Sequence, residues 1–483
     1  MKYSLESTIK QINESPQAAA LMDQLLPGIR QQLSASLQTV NLSLAKVAAY
    51  AKDAAMTQKI NVLGQKLAAL GNIVTAAEKA RIQSYVELAK ADRQNANMHP
   101  HHQDAIYPGR PWLDENGRRI QAHGGSIFYE NGSYYWYGED KTHSLGYPQT
   151  SIWTWGIHAY QSKDLCNWSD LGLIIAPDLT NPDASLFPEA HVDRPHIRKC
   201  PQTGKYVAWL KLSDAECFVI LQADRFTGPY QIVRDHYQPF DHRVGDFDIA
   251  IAENQTGYLF MDADHQGILG LRLADDFLSC TREVSWSYRG LKPPFTREGV
   301  ALCEYQGKKY MFTSGMTGYI PNQSDCAVAD SWEDEFKSIG DPNVGTPDQI
   351  MSSFNSQFTQ IFKLPASVST TSNPAGAKSA ADPIASDLPD TPKYIALCDR
   401  WVPAYPVDAK RADMFRRVVA SSNDPNYSCT ADERQQVANS PQMETANTSI
   451  ADYVWLPVRF ADSQSGPAKP QIQWLAAWQP RVD

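Results

Sequence analysis

The chain has 483 residues, 42% apolar and 20% charged, enough for two domains around sizeable buried cores. A net charge of −10 argues against nucleic acid or an anionic membrane as partner. No stretch approaches the ~20 apolar residues of a membrane-crossing helix. Eight cysteines are scattered without CxxC pairs, and Met1 to Ser7 lack the apolar run of a secretory signal. Reduced thiols and a cytoplasmic location are therefore expected.

Residues 1–98 show no strand-like alternation and are expected to form a small all-α domain of three or four helices. Leu21, Leu25, Leu26, Ile29 and Leu33 recur at helical spacing, followed by Leu44, Val47 and Tyr50, then Leu63, Leu67 and Leu70. Alanine is abundant, and Pro16 and Pro27 mark helix starts or breaks. Such a domain serves as an oligomerisation module, as a lid, or as a stabilising appendage. Asn95 to Gln103 reads as a linker; its three histidines lack a second ligand cluster, so no metal is expected there.

From residue 99 the pattern changes. His123-Gly124-Gly125-Ser126-Ile127-Phe128-Tyr129-Glu130 and Ser133-Tyr134-Tyr135-Trp136-Tyr137 read as two strands joined by an Asn131-Gly132 turn, with Glu139 just past the second. The plan recurs. Thr203-Gly204-Lys205-Tyr206, Gln255-Thr256-Gly257-Tyr258 and Gln306-Gly307-Lys308-Lys309-Tyr310 each set a glycine-centred turn before a tyrosine-led strand. An acid precedes each one: Asp193, Asp246 and Glu298. Repeated hairpins of this kind signal a β-propeller, whose blades would bring these acids to a common axis. Ser367 to Thr391 is rich in Ser, Ala and Pro and is expected to be a flexible insertion (366–392) within the propeller of 99–483; Asn423 to Ala446 reads as a second polar excursion. Most of the 12 Trp and 22 Tyr are assigned to the core, the remainder being suited to stacking on sugar faces.

Several segments in order resemble glycoside hydrolase family 43, and within it the exo-β-1,3-galactanase-like branch. They are Ile120 to Gly125, Tyr135 to Glu139, Asp193 to Ile197, Gly245 to Asp248, Arg297 to Ala301, Thr313 to Tyr319, Phe354 to Gln357 and Tyr453 to Pro457. The resemblance spans roughly residues 104 to 483 and implies a five-bladed β-propeller, so the fold is expected to be mainly β after the helical domain. It also implies an inverting, exo-acting glycosidase releasing terminal β-linked galactose from (arabino)galactan-type oligosaccharides.

By the same resemblance Glu298 is the general acid and Asp246 its orienting, pKa-tuning partner. Alternation puts Asp248 on the same strand face, which makes it a competitor for that role. A nearby second carboxylate would keep Glu298 protonated near neutrality. Asp193 stands where the branch carries Glu, and Arg194 is expected to brace Asp193 or another carboxylate by a bidentate contact. The first-blade aspartate that most of the family uses as base is absent from His123-Gly124-Gly125. The branch uses a glutamine to hold the water instead, matching Gln357, whose imidic tautomer would relay a proton; Glu139 and His123 follow as candidates. Glu139, His123, Asp193, Thr317, Tyr319 and Arg400 are the expected sugar contacts, and Trp153 and Trp155 are assigned equally to the rim or to the core. Some relatives hold calcium through a fifth-blade histidine. That position aligns with Gln357, so no metal or cofactor is expected. Two alternatives stand beside this reading: an α-L-arabinofuranosidase or β-xylosidase, disfavoured by the missing aspartate, and a non-catalytic glycan-binding propeller, disfavoured by the retained acids.

Overall fold

The structure, a computed structural model, describes residues 3–482 apart from 6, 14, 35–36, 52, 71–75, 95–99, 147–149, 366–367, 372–392, 441–445 and 462–465. The chain forms two compact units: residues 1–97 with 177–191, and residues 98–176 with 192–483.

The first unit is helical. Among the described residues it has seven short helical segments rather than three or four, the longest being Ala54–Ala68 and Ala76–Gln94. Ser15 caps Pro16–Leu25 by accepting from Ala18 N, with Pro16 at the first helical position, where its missing N–H costs nothing. Of the expected residues Leu26, Leu44, Leu63 and Leu67 are buried, together with Ala18, Met22 and Ile60, whereas Leu21, Leu25 and Ile29 lie at the margin of this core. The excursion 177–191 contributes Glu189, which accepts from the Tyr85 hydroxyl at 2.6 Å and pairs with Arg81 at 3.1 Å.

The second unit is a five-bladed β-propeller. Each of the first four blades is a four-stranded antiparallel meander taken in chain order. The innermost strands are His123–Glu130, Val192–Lys199, Val244–Ile251, Arg297–Tyr305 and Gln357–Lys363. The turns behave as their residues require. Asn131 (φ 51°) and Gly132 (φ 74°), and likewise Gln306 (φ 48°) and Gly307 (φ 77°), occupy consecutive left-handed positions, the twist that two-residue hairpins need.

The last blade continues from Gln357–Lys363 through Tyr394–Arg400, Asp452–Ala461 and Lys469–Gln473. Ile106 and Trp478 exchange backbone hydrogen bonds of 2.8 and 3.0 Å, tying the start of the propeller to its end. Between the first and last blades Trp112, Trp136, Trp168 and Trp455 pack edge to face, with Trp112 and Trp455 centroids 4.6 Å apart. These four tryptophans are thus spent on joining blades. The insertion 366–392 lies outside the described residues except Val368–Thr371, a strand paired with Gln479–Val482. The second excursion is partly helical. Ala409–Asn423 and Ala431–Ala438 enclose Phe415, Val418 and Val437 with Ile320, and Thr430 and Glu433 form a capping box.

Candidate active site

All five inner strands break register near their first residues, with the extra residue on the inner strand each time: between His123 and Ser126, Asp193 and His196, Val244 and Phe247, Glu298 and Ala301, and Phe358 and Gln360. A bulge re-aims the side chains around it. Three of these bulges hold a left-handed residue: Gly124 (φ 61°), Arg194 (φ 49°) and Gly299 (φ 63°). Gly124 has no alternative, since a Cβ there would overlap Glu139 Oε1.

The bulged ends meet. Arg194 lies buried among them: Nη1 donates to Phe358 O at 2.8 Å, and Nη2 donates to Gln357 Oε1 and lies 3.0 Å from Asp246 Oδ2. The carboxylate that Arg194 braces is therefore Asp246, not Asp193. Asp246 Oδ1 accepts from Lys211 Nζ at 2.7 Å, and Oδ2 accepts from Gly299 N at 3.2 Å. Burial opposes its charge, but Arg194 and Lys211 outweigh burial and hold its carboxyl well below the usual carboxylate range. Asp248 sits deeper on the same strand, taken up by Arg198 at 2.8 Å and Leu302 N at 2.9 Å. Of the two, Asp246 is the one that bonds to the bulge residue beside Glu298, while Asp248 bonds farther along that strand.

Glu298 is partly buried, and its Oε1 accepts from Gln357 Nε2 at 3.3 Å. Burial first, then the charges of Asp246 and Asp262, push its pKa up to about 8. Two neighbouring carboxylates are thus driven apart, one ionised and the other holding its proton at neutrality.

Gln357 is anchored at both ends. Its Nε2 also donates to Ser314 Oγ at 2.9 Å, while Oε1 accepts from Arg194 and from Trp401 Nε1 at 3.4 Å. The imidic tautomer carries a proton on that oxygen, and two N–H donors aimed at it disfavour that form. Its direct contact with Glu298 is also far shorter than the roughly 6.5–9.5 Å that separates acid and base in inverting enzymes.

Glu139 is buried, with Oε1 accepting from Arg194 N at 2.9 Å and Oε2 lying 2.7 Å from Lys141 Nζ. Burial raises its pKa to about 7 against the pull of Lys141. Asp193 accepts from Trp153 Nε1 at 2.5 Å and from the Ser213 hydroxyl, and it lies 3.8 Å from Lys211. Tyr319 stands between Trp153 and Trp401, with ring centroids 6.1 and 5.9 Å away. Burial and then the Asp193, Glu139 and Asp246 charges raise its hydroxyl pKa well above normal, so the ring lies beside the acids.

Three expected sugar contacts fall elsewhere. His123 is fully buried, stacked on Tyr453 at 4.8 Å and bonded to Asp399 at 3.2 Å, so a sugar cannot reach it. Arg400 follows Asp399 on the strand. Alternation turns the two to opposite faces, Asp399 to Gly124 N at 2.5 Å and Arg400 to Gly109 O at 3.5 Å. Thr317 spends its hydroxyl within its own turn, donating to Ile320 O and accepting from Asn322, both at 2.6 Å. Lys141, Lys211, Ser314 and Trp401 belong to the cluster although the motifs did not single them out for the site. Lys211, a charge closing the apolar run Tyr206 to Leu210, was the available signal.

Residues 119–364, just over half of the chain, match glycosyl hydrolases family 43. The chain belongs to this family. It is a glycosidase. Similar solved structures share its fold. A family 43 β-1,3-galactosidase has a TM-score of 0.57 at 23% identity, covering 78% of this chain and 64% of its own. A second, solved with galactodeoxynojirimycin, has a TM-score of 0.55 at 22% identity, covering 77% and 99%. An exo-β-1,3-galactanase from Phanerochaete chrysosporium, solved with β-1,3-galactotriose, has a TM-score of 0.56 at 21% identity, covering 78% and 69%. The chain thus spans about two thirds of the length of the first and third. No curated protein matches the sequence.

Proposed function

We propose that this family 43 glycosidase is an exo-acting, inverting enzyme that releases terminal β-linked galactose from (arabino)galactan-type oligosaccharides. Glu298 is its general acid and protonates the leaving oxygen. The observation that carries this reading is the split between two neighbouring carboxyls: Asp246 is locked in its ionised form by Arg194 and Lys211, while Glu298 keeps its proton to about 8. A propeller that merely bound glycans would have no use for an acid so prepared.

Asp193, the Lys141–Glu139 pair and the aromatic trio of Trp153, Tyr319 and Trp401 supply hydroxyl partners and stacking faces. Gln357 acts by position. A sugar seated between it and Glu298 replaces their 3.3 Å contact and frees one amide N–H to hold the attacking water. The solved relatives named above act on β-1,3-galactosides by description, which favours galactose as the terminal sugar.

Incubation with reduced β-1,3-galactotriose, followed by proton NMR, tests the reading. Free α-galactose appearing first from the wild type, and none from Glu298→Gln, is the expected result. Release of β-galactose would remove the inverting assignment, and intact galactotriose with cleaved arabinofuranosides or xylosides would replace the substrate.

A further inference from the structure

The fifth blade's inner strand, Gln357–Lys363, begins just past a turn of unusual backbone. Ser353, Phe354 and Asn355 occupy three consecutive left-handed positions (φ 50°, 58° and 59°). That conformation is uncommon away from glycine, and an outlier for a side chain as bulky as Phe354. Such a run persists only where its surroundings over-determine it. Here they do. The Ser353 hydroxyl donates to Asn322 O at 2.7 Å and meets Ser324 Oγ at 2.6 Å, and Asn355 N donates to Ser352 O at 2.8 Å.

The Asn355 side chain joins this turn to the rest of the site. Its Oδ1 accepts from Val407 N at 2.5 Å and its Nδ2 donates to Val407 O at 3.3 Å, so one amide serves both backbone groups of one residue. Glycine would suit the backbone at this position without cost, so what asparagine adds is this pair of bonds. Three site residues are reached from here. Gln357 follows two residues along the chain. Trp401 lies at the other end of the segment 401–407, and its Nε1 donates to Gln357 Oε1 at 3.4 Å. Tyr319 precedes Ile320, whose buried side chain packs in one apolar cluster with Val407 and Phe415. Asn322, which accepts from Ser353, also closes that loop by donating to Thr317 Oγ1 at 2.6 Å.

We propose that Asn355 is a positioning residue that fastens the segment 401–407 to the start of the fifth-blade strand and thereby sets Gln357 and Trp401 as one unit. Its effect on turnover rests on Gln357 holding the attacking water, as read above. Loss of the Val407 bonds releases Trp401, leaves Gln357 Oε1 to Arg194, and loosens the amide that faces Glu298.

The test is nitrogen-15 NMR of the free enzyme, following the Trp401 indole and the Gln357 amide, each assigned by its loss in Trp401→Phe or Gln357→Ala. Asn355→Gly keeps the left-handed turn and removes the side chain. It should shift or broaden both signals together and lower kcat on reduced β-1,3-galactotriose by about 10-fold, with KM changed less. Added to Gln357→Ala, it should lower kcat no further, because both act through the same amide. Asn355→Asp keeps the acceptor for Val407 N but not the donor, and tolerates the turn. It should displace the two signals less, and it decides the matter if the glycine variant does not fold. Unmoved signals overturn the proposal. So does a loss in kcat that adds to that of Gln357→Ala, as a turn serving only the fold would give. The signals need no sugar, so intact galactotriose would remove the proposed substrate and leave this result standing.

Discussion

Asp246 Oδ2 accepts a hydrogen bond from the backbone N–H of Gly299 at 3.2 Å, so the ionised carboxylate is fixed to the residue that follows the acid. Its charge and the position of Glu298 are thereby one structural unit. Asp246→Asn keeps the shape but removes the charge, and it leaves Arg194 and Lys211 facing Glu298 without their counter-ion. The Glu298 pKa should drop by 1–3 units, on the order expected for a carboxyl beside an uncompensated cation. The basic limb of kcat/KM on galactotriose should move from about 8 toward acid by the same amount, with activity better preserved at pH 5 than at pH 7. An unmoved limb would assign the raised pKa of Glu298 to burial and Asp262 rather than to Asp246.

The same raised pKa makes the acid a burden on the fold. In the unfolded chain Glu298 titrates near the ordinary value of 4.5, and in the fold near 8. The unfolded state therefore binds fewer protons between these values, and stability falls as pH rises through that window. Glu298→Gln should melt close to wild type at pH 4.5 and above it at pH 8.5, the gap opening across the interval while activity is lost. Parallel melting curves at both pH values would show that Glu298 is not protonated in the fold.

Much of this was legible in the chain. Asn-Gly and Gln-Gly turns demanded left-handed residues and obtained them, and the acids ahead of three tyrosine-led strands lie near one another, Asp193 and Asp246 both within reach of Lys211 and Asp246 bonded to Gly299 N beside Glu298. What periodicity could not register were the bulges. A register slip near the start of the inner strands alters which side chains reach the axis, so His123 is sealed behind Tyr453 while Arg194 crosses to Gln357 and Asp246. Lys141 and Lys211 were missed because a lysine matters here only through the buried carboxylates it meets, which are distant in sequence. The helices in the last blade were hidden by polar composition, although the Thr430 to Glu433 capping spacing was present to be read.

Gly299 is required twice over. Its φ of 63° suits glycine, and an added Cβ would lie 2.9 Å from both Gln357 Cγ and Ser314 Oγ. Gly299→Ala should cost roughly 1–2 kcal/mol from backbone conformation alone and push Gln357 away from Glu298. Denaturant unfolding reads the first effect. A fall in kcat of about 100-fold, out of proportion to the stability loss, reads the second. Equal kcat would mean that Gln357 needs no fixed position.

Gln357 itself separates positioning from proton relay. Arg194 and Trp401 both donate to Oε1, so the oxygen that an imidic tautomer would protonate already faces two N–H groups. Gln357→Ala removes the water-side contact and should lower kcat by about 100-fold while leaving the basic limb near 8, because Asp246 and burial still hold the Glu298 proton. Gln357→Glu keeps the Arg194 contact but sets a carboxyl against Glu298, and two carboxyls at that distance share one proton. Its activity at pH 7 should fall below wild type. A rise instead would mean that the native site lacks only a base, and the role of Gln357 would pass from holding the water to leaving room for one.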